Sequence, residues 1–457
     1  MRLPTTDKGK LRLVLCLVTA VTVFTATVPL LRGWFDVRVY HGAIDDWMNH
    51  GGHLYDYQRP GTPYGFTYPP FAALSMLPMA FVGENTAIVG ALVLNLAALS
   101  VVLWILFGPR LRRHGWFGWA LAVCALALFE PLRDTFSFGQ VNLLLLALVL
   151  TDAWLLSTGR DRRAGVGIGL AAAIKLTPAV FIALLLLARR WRAAALATAV
   201  AAAATLLAHW AVPGPSHYYW TQAVWDTTRV GRLDYVSNQS LQGVIARLAA
   251  PGEPDRTAWE LAVLAVLAVW GLRARRALRA GDWLSAFALT GLTSCLISPI
   301  TWVHHLVWLL PSFAVLVRER RLRVAGALYA VMCTSVVWLW FDDASGIGGF
   351  LGSNTYVWVT LGLLCGLPAG QSRADRLRLP QSRWPTAAST PTPAPTEAAS
   401  TPGESRPTVP AARTGVTLGG AVGRERAASG CTGESDPTGL TRPTAPNPQS
   451  SSERASS

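Results

Sequence analysis

Charge is scarce in this chain. Only 14% of its 457 residues are charged, against roughly 25% in soluble domains, which excludes an ordinary water-soluble globule. Lysine is almost missing: Lys8, Lys10 and Lys175 stand among 40 basic residues. Cysteine is sparse as well. Cys16, Cys124, Cys295, Cys333, Cys365 and Cys431 lie far apart with no CxxC pair, a spacing that argues against a disulfide framework and a zinc site. There is no Walker loop, dinucleotide glycine fingerprint or G-x-S-x-G elbow, so a soluble nucleotide donor has no visible binding site. No sequence repeat is apparent, and no A-x-A cleavage site follows the first apolar run, which reads as a retained helix.

What the chain has is apolar length. Hydrophobic residues make up 52% of it. Runs such as 87–107, 141–156, 193–212 and 324–341 approach the roughly 20 residues needed for a bilayer crossing. Only helices and closed barrels satisfy their backbone in lipid, so the expected fold is an all-α polytopic membrane protein. The net charge of +14 sits in short arginine-rich loops, at 110–114, 160–163, 189–192, 273–279 and 318–323. That pattern reads as membrane orientation rather than nucleic-acid binding. It sets loops 33–68, 131–140, 213–240, 298–303 and 342–353 on the other, extracytoplasmic side. Alternation then requires a short re-entrant or surface helix over "PPFAALSMLPMAF" and a helix broken near Pro178. The expectation is 10–13 helices with both termini cytoplasmic. Residues 1–369 form one integral membrane unit, with 33–68 as its first extracytoplasmic loop. Residues 370–457, rich in Pro, Thr, Ser and Ala, cannot bury enough surface to offset chain entropy and read as a disordered cytoplasmic tail.

The unusual polar residues fall on the extracytoplasmic side. Asp36 stands at the mouth of the first helix. Gln140 and Asn142 begin another, Lys175 sits at the expected break, Asn238 and Gln239 lie late in a long loop, and His304 and His305 interrupt "LISPITWVHHLVWLLP". Each alone has a structural reading: a surface carboxylate, amides hydrogen-bonding between helices, a helix cap, histidines paired to carbonyls. Lys175 resists that reading, because a lysine among apolar half-helices is costly. Together they make a site for an anionic headgroup with a base nearby. Lysine neutralises phosphate as a point charge, and histidine donates hydrogen bonds to it. Trp302 and Tyr68 offer flat faces for a sugar. A lipid-borne phosphate donor, reached from the bilayer, fits this arrangement.

The motifs "DVRVYHGA", "LYDY", "FTYPP", "FGQVN", "AAIKLTP", "SNQSLQG" and "SPITWVHH", in this order, resemble the polyprenol-phosphate-mannose-dependent α-mannosyltransferases of mycobacteria and their relatives. These form glycosyltransferase family 87, within the GT-C fold. The resemblance implies a GT-C-like bundle and transfer of mannose to a glycolipid or lipoglycan on the extracytoplasmic face, inverting and making α-1,2 links. It implies Asp36 as base and Lys175, His304 and His305 as donor-phosphate ligands. Tyr40, Tyr68, Gln140, Asn142, Asn238, Gln239 and Trp302 are the expected substrate contacts. The chain carries no DxD signature, and neither metal nor other cofactor is expected. The partners implied are the lipid-linked sugar, the glycolipid acceptor and the bilayer. The alternative is a transporter or flippase for lipid-linked sugars, which would share a phosphate pocket but show polar residues through the full bilayer depth.

Overall fold

A computed structural model describes residues 4–27 and 32–370. The expected tail lies outside the described residues, save Gly370. The described residues form 18 α-helices and a lone antiparallel bridge, Gln58 with Gly65.

Helix α1 (Asp7–Thr27) buries none of its residues. Its exposed Leu11, Leu15, Val18 and Val23 suit a lipid surround. Next come α2 (Phe35–Asn49) and the short α3 (Pro70–Met76), which runs into a 3-10 turn at Leu77–Phe81. Helix α4 (Glu84–Arg113) spans 30 residues. A 78° bend separates α5 (Gly115–Leu128) from α6 (Glu130–Phe138). Pro131, in the first turn of α6, lacks the N–H that would carry α5 onward. Helix α7 (Asn142–Ser157) leads to α8 (Val166–Ile174), a break, and α9 (Val180–Leu187). Then follow α10 (Trp191–Ala211), α11 (Pro213–Thr221), α12 (Leu241–Ala249), α13 (Arg256–Arg279) and α14 (Trp283–Ile297). A 3-10 segment, Val303–Leu309, merges into α15 (Leu310–Arg318), and α16 (Leu322–Cys333), α17 (Gly346–Ser353) and α18 (Thr355–Gly366) complete the bundle. Among the described residues α1, α4, α10 and α13 are long and apolar enough to cross a membrane alone. The apolar α7, α14, α16 and α18 are shorter, as is the joined segment Val303–Arg318. The chain is an all-α, multi-pass membrane protein.

Helix α14 is the centre of the core. Every residue from Leu284 to Leu296 is buried, as expected of a helix that is hydrophobic all round. Helix α8 owes its place to small residues. A Cβ on Gly169 would stand 2.5 Å from the carbonyl oxygen of Ala197 on α10, so the two backbones meet with nothing between them. The first turn of α8 is held by a side chain from α7: Asp152 Oδ2 accepts the Ile168 N–H at 2.7 Å.

The expected break lies where the sequence puts it. Helix α8 ends at Ile174, Lys175 is extended (φ −148°, ψ 133°), and a 3-10 turn containing Pro178 starts the return. The stretch 70–81 is the expected short helix. The segments read as outer loops hold more structure than the sequence suggests: α2, α6, α11 and α17 all lie within them. These helices are short or polar, so no long apolar run announces them.

The arginine-rich ends meet at one pole. Arg190 pairs with Asp161 at 2.8 Å and lies over the Trp283 ring. Arg318 grips Asp282 through both oxygens, at 2.7 and 2.6 Å. Asp282 caps the start of α14, and the irregular 298–302 stretch leaves its other end, about 22 Å away at 1.5 Å per residue. Removing one partner of such a pair strands a buried charge. Arg318→Met should lower stability by about 3–5 kcal/mol, read as an earlier thermal unfolding transition in detergent. Adding Asp282→Leu should recover part of that loss.

Candidate active site

At the pole away from the arginines a cavity of about 540 Å³ opens, within the range of small-ligand sites. Its wall takes residues from α2, the segment 64–69, the ends of α6 and α8, the 219–237 loop and the 298–305 stretch.

Asp36 occupies the first turn of α2, where the helix N-terminus favours negative charge. Facing it is the "FGQVN" turn. Helix α6 ends at Gly139, whose φ of +74° is open to glycine at little cost. A Cβ there would stand 2.7 Å from Val37. The turn thereby sets Gln140 against Asp36: Gln140 Nε2 donates to Asp36 Oδ2 at 2.7 Å. The amide is oriented in turn. Tyr68 donates its hydroxyl to Gln140 Oε1 at 2.9 Å, and Tyr40 donates to the Tyr68 oxygen at 2.9 Å. One carboxylate oxygen is thus engaged, while Oδ1 is left open. Asp36 lies outside the membrane-spanning helices. Burial pushes its carboxyl up to about 6, against the lowering effects of the Gln140 hydrogen bond and of Lys175.

The second half of the site is basic. Lys175 Nζ donates to Asn142 Oδ1 at 3.2 Å, lies 2.8 Å from His305 Nε2, and stands over the Tyr68 ring. The Trp302 N–H donates to His305 Nδ1 at 3.1 Å. A neutral ring then carries its hydrogen on Nε2. That hydrogen faces Lys175 Nζ at 2.8 Å, so the histidine is engaged by the lysine, whose remaining N–H groups are the donors an anion's oxygen can accept from. His304 is buried against Phe138, and its Nε2 has no hydrogen-bond partner among the described residues.

Asp36, Tyr40, Tyr68, Gln140, Lys175, Trp302, His304 and His305 all line the cavity, which brings together residues as far as 269 positions apart, from 36 to 305. Asn142, Asn238 and Gln239, expected as substrate contacts, do not line it. Asn142 is buried behind Lys175 and Gln140. Asn238 accepts the Thr301 N–H at 2.9 Å and donates to the Leu233 and Pro299 carbonyls. Gln239 donates to the Val236 and Ser353 carbonyls and accepts from the Val357 N–H. The Asn238 amide braces the 298–302 stretch that carries Trp302, and the Gln239 backbone N–H donates to the Thr301 carbonyl at 2.7 Å. Sequence reasoning missed Arg32, Phe138, Tyr219, Tyr235 and Trp338, which also line the wall.

The sequence model of glycosyltransferase family 87 matches residues 66–299. A "polyprenol-phosphate-mannose-dependent alpha-(1-2)-phosphatidylinositol mannoside mannosyltransferase" of Mycolicibacterium smegmatis is 33% identical over 359 residues, covering 71% of this chain and 81% of the relative. Its Mycobacterium tuberculosis counterpart of the same name is 32% identical, over 65% of this chain and 73% of the relative. A phosphatidylinositol pentamannoside mannosyltransferase of M. smegmatis is 35% identical, over 64% of this chain and 72% of the relative. No solved structure was found to match.

Because the Gln140 hydrogen bond lowers the Asp36 titration, Gln140→Leu should move it above about 6. Infrared titration of the protonated carboxyl band, taken as the difference from Asp36→Asn, measures the midpoint. An unmoved midpoint contradicts the assignment of that contact.

Proposed function

The chain belongs to glycosyltransferase family 87 and is a polyprenol-phosphate-mannose-dependent mannosyltransferase; from this premise we propose that Asp36 is its catalytic base. On this reading the enzyme works on the extracytoplasmic face, makes α-1,2 links and glycosylates a phosphatidylinositol mannoside or related lipoglycan. The observation that carries it is one cavity holding a hydrogen-bonded carboxylate opposite Lys175 and His305.

Asp36 Oδ1 takes the proton of the acceptor hydroxyl as that oxygen bonds to the anomeric carbon. The bond from that carbon to the phosphate oxygen breaks, and the leaving polyprenyl phosphate keeps the electron pair. The donor phosphodiester carries one negative charge; the leaving monoester gains a second. Lys175, His305 and His304 meet that charge as it grows, and interactions stronger in the transition state than in the bound donor accelerate the step. Attack opposite the leaving group turns a β-mannosyl phosphate into an α-mannoside. Tyr68 and Trp302 flank the place of the sugar. The arginine-rich pole supports a cytoplasmic orientation for that side, with the cavity facing out and both termini inside.

The direct test is to incubate membranes holding the protein with radiolabelled polyprenyl-phosphate mannose and a panel of phosphatidylinositol mannosides. Labelled glycolipid with a new α-1,2 link is the expected product; no transfer to any acceptor overturns the reading. Asp36→Asn should cut turnover by about 10²- to 10⁴-fold, the worth of a general base, with the donor KM nearly unchanged. Asp45 and Asp46 stand off the cavity wall, so their Asn variants should retain most activity. A base must be ionised. With a carboxyl near 6, kcat/KM should be full above that value and fall as pH drops through it. Lys175→Met should weaken apparent donor affinity by roughly 10- to 150-fold, the equivalent of one hydrogen bond to a charged group.

A further inference from the structure

Arg32 stands on the cavity wall just before α2. Its guanidinium carbon lies 4.2 Å from the centre of the Trp338 ring and 5.6 Å from that of Phe138. The backbone beside it is tied to the last turn of α6: the Arg32 N–H donates to Ser137 Oγ, and the Trp34 N–H to the Ser137 carbonyl. The fork is therefore aimed by two aromatic faces and a fixed backbone.

Yet it is incompletely partnered. Arg32 Nε and Nη2 are buried without a hydrogen-bond partner among the described residues. The Asp134 carboxylate lies 3.8 Å from Nη2, beyond hydrogen-bond reach. Asp134 is 1% exposed, and neither of its oxygens accepts a hydrogen bond. Its neighbour Glu130 is already engaged, accepting from the Trp338 indole and the Tyr356 hydroxyl. A buried ion pair that serves only the fold closes, because open buried charges are costly. The pair between Arg318 and Asp282 in this same chain does close, at 2.6 and 2.7 Å. Arg32 and Asp134 stay apart. What remains is a guanidinium on the wall of a cavity with two buried donors unpartnered among the described residues, its charge offset by a carboxylate that takes neither. Across the Phe138 ring, His304 shows the same condition at Nε2.

We propose that Arg32 is a phosphate ligand, binding the phosphate of the lipid donor and, more tightly, of the polyprenyl phosphate that leaves. This rests on the mannosyl-transfer reading. A planar fork grips two phosphate oxygens at once, which a lysine does not. Lys175 and His305 supply donors from the α8 break and the 302–305 stretch; Arg32 supplies them from the start of α2, the element that also carries Asp36. As the phosphate goes from one negative charge to two, the Arg32 contact strengthens, so it contributes to kcat as well as to donor binding. Asp134 offsets the guanidinium charge from 3.8 Å and competes with a bound phosphate for it.

The experiment compares wild type, Arg32→Gln, Arg32→Lys and Asp134→Asn as full chains in lipid nanodiscs. Two readouts are taken: transfer kinetics with donor and acceptor varied separately, and direct binding of radiolabelled polyprenyl phosphate. Arg32→Gln should weaken polyprenyl-phosphate binding by about 10- to 150-fold, raise the donor KM and lower kcat, with the acceptor KM unmoved. Arg32→Lys should lie between it and wild type. Asp134→Asn should tighten polyprenyl-phosphate binding, an effect a merely structural role would not produce. Wild-type polyprenyl-phosphate binding in Arg32→Gln overturns the proposal. If that variant does not reach the membrane, Arg32→Lys decides: weakened binding supports the proposal and unchanged binding overturns it. The binding readout separates this inference from the transfer reading, since wild type could bind polyprenyl phosphate while transferring no mannose.

Discussion

The site depends on one contact, the hydrogen bond from Gln140 to Asp36, and that contact depends on a turn. Gly139 stops α6 in a conformation that suits glycine, and its missing side chain lets Val37 approach. Any side chain there would push α2 away from α6. Asp36 would leave the amide, and the Tyr40–Tyr68–Gln140 chain would lose its end. The same turn sets Phe138 beside His304 and lets Asn142 reach Lys175. Five residues, "FGQVN", thus bring the acid and the basic halves of the site into one cavity.

A membrane protein holds such a cluster only where each charge meets something. In an apolar interior an unmatched donor or acceptor costs far more than at a wet surface. The chain answers this with amides. Asn142 supports Lys175, and Asn238 and Gln239 tie the 298–302 stretch to loops on either side. Thr135 adds a hydroxyl to the His304 carbonyl at 3.1 Å. The histidine pair is set by backbone held from three directions, and His304 Nε2 is left without a partner among the described residues. Rigid support behind and open donors in front is how a site stays pre-organised.

The bilayer constraint explains what was legible. Long apolar runs fix the class, and a lone lysine or a histidine pair among them stands out because its cost is visible locally. Lys175, His304 and His305 stood out for that reason and with Asp36 line the cavity; the break near Pro178 also lies where the sequence puts it. Asn238 and Gln239 do not line the cavity. Their partners, Thr301 and Val357, lie 63 and 118 residues away, and nothing near them separates a brace from a substrate contact. Arg32 was hidden by its position at a helix end, where arginine is ordinary. Only the fold sets it between Trp338 and Phe138 with an acid held out of reach. The outer helices were hidden too, since α2 and α6 are half polar and carry no run of spanning length.

The same accounting bears on transport. Passage of a lipid-linked sugar needs polar groups spaced through the depth of the bundle and free to change partners. Below the cavity the acids and threonines of the core are already committed, while Ser312 Oγ and Trp154 Nε1 have no partner among the described residues. Asp152 accepts from the start of α8. Thr290 and Thr293 donate back to carbonyls of their own helix, and Ser294 to the Thr177 carbonyl. Toward the arginine-rich pole, Asp282 is held by Arg318 and Ser285. Open donors collect instead at one end, around Asp36, whose Oδ1 has no partner among the described residues. A cavity with its charge at the mouth and the acids beneath it already paired suits a headgroup that stays in place while a bond changes hands better than one that must move inward.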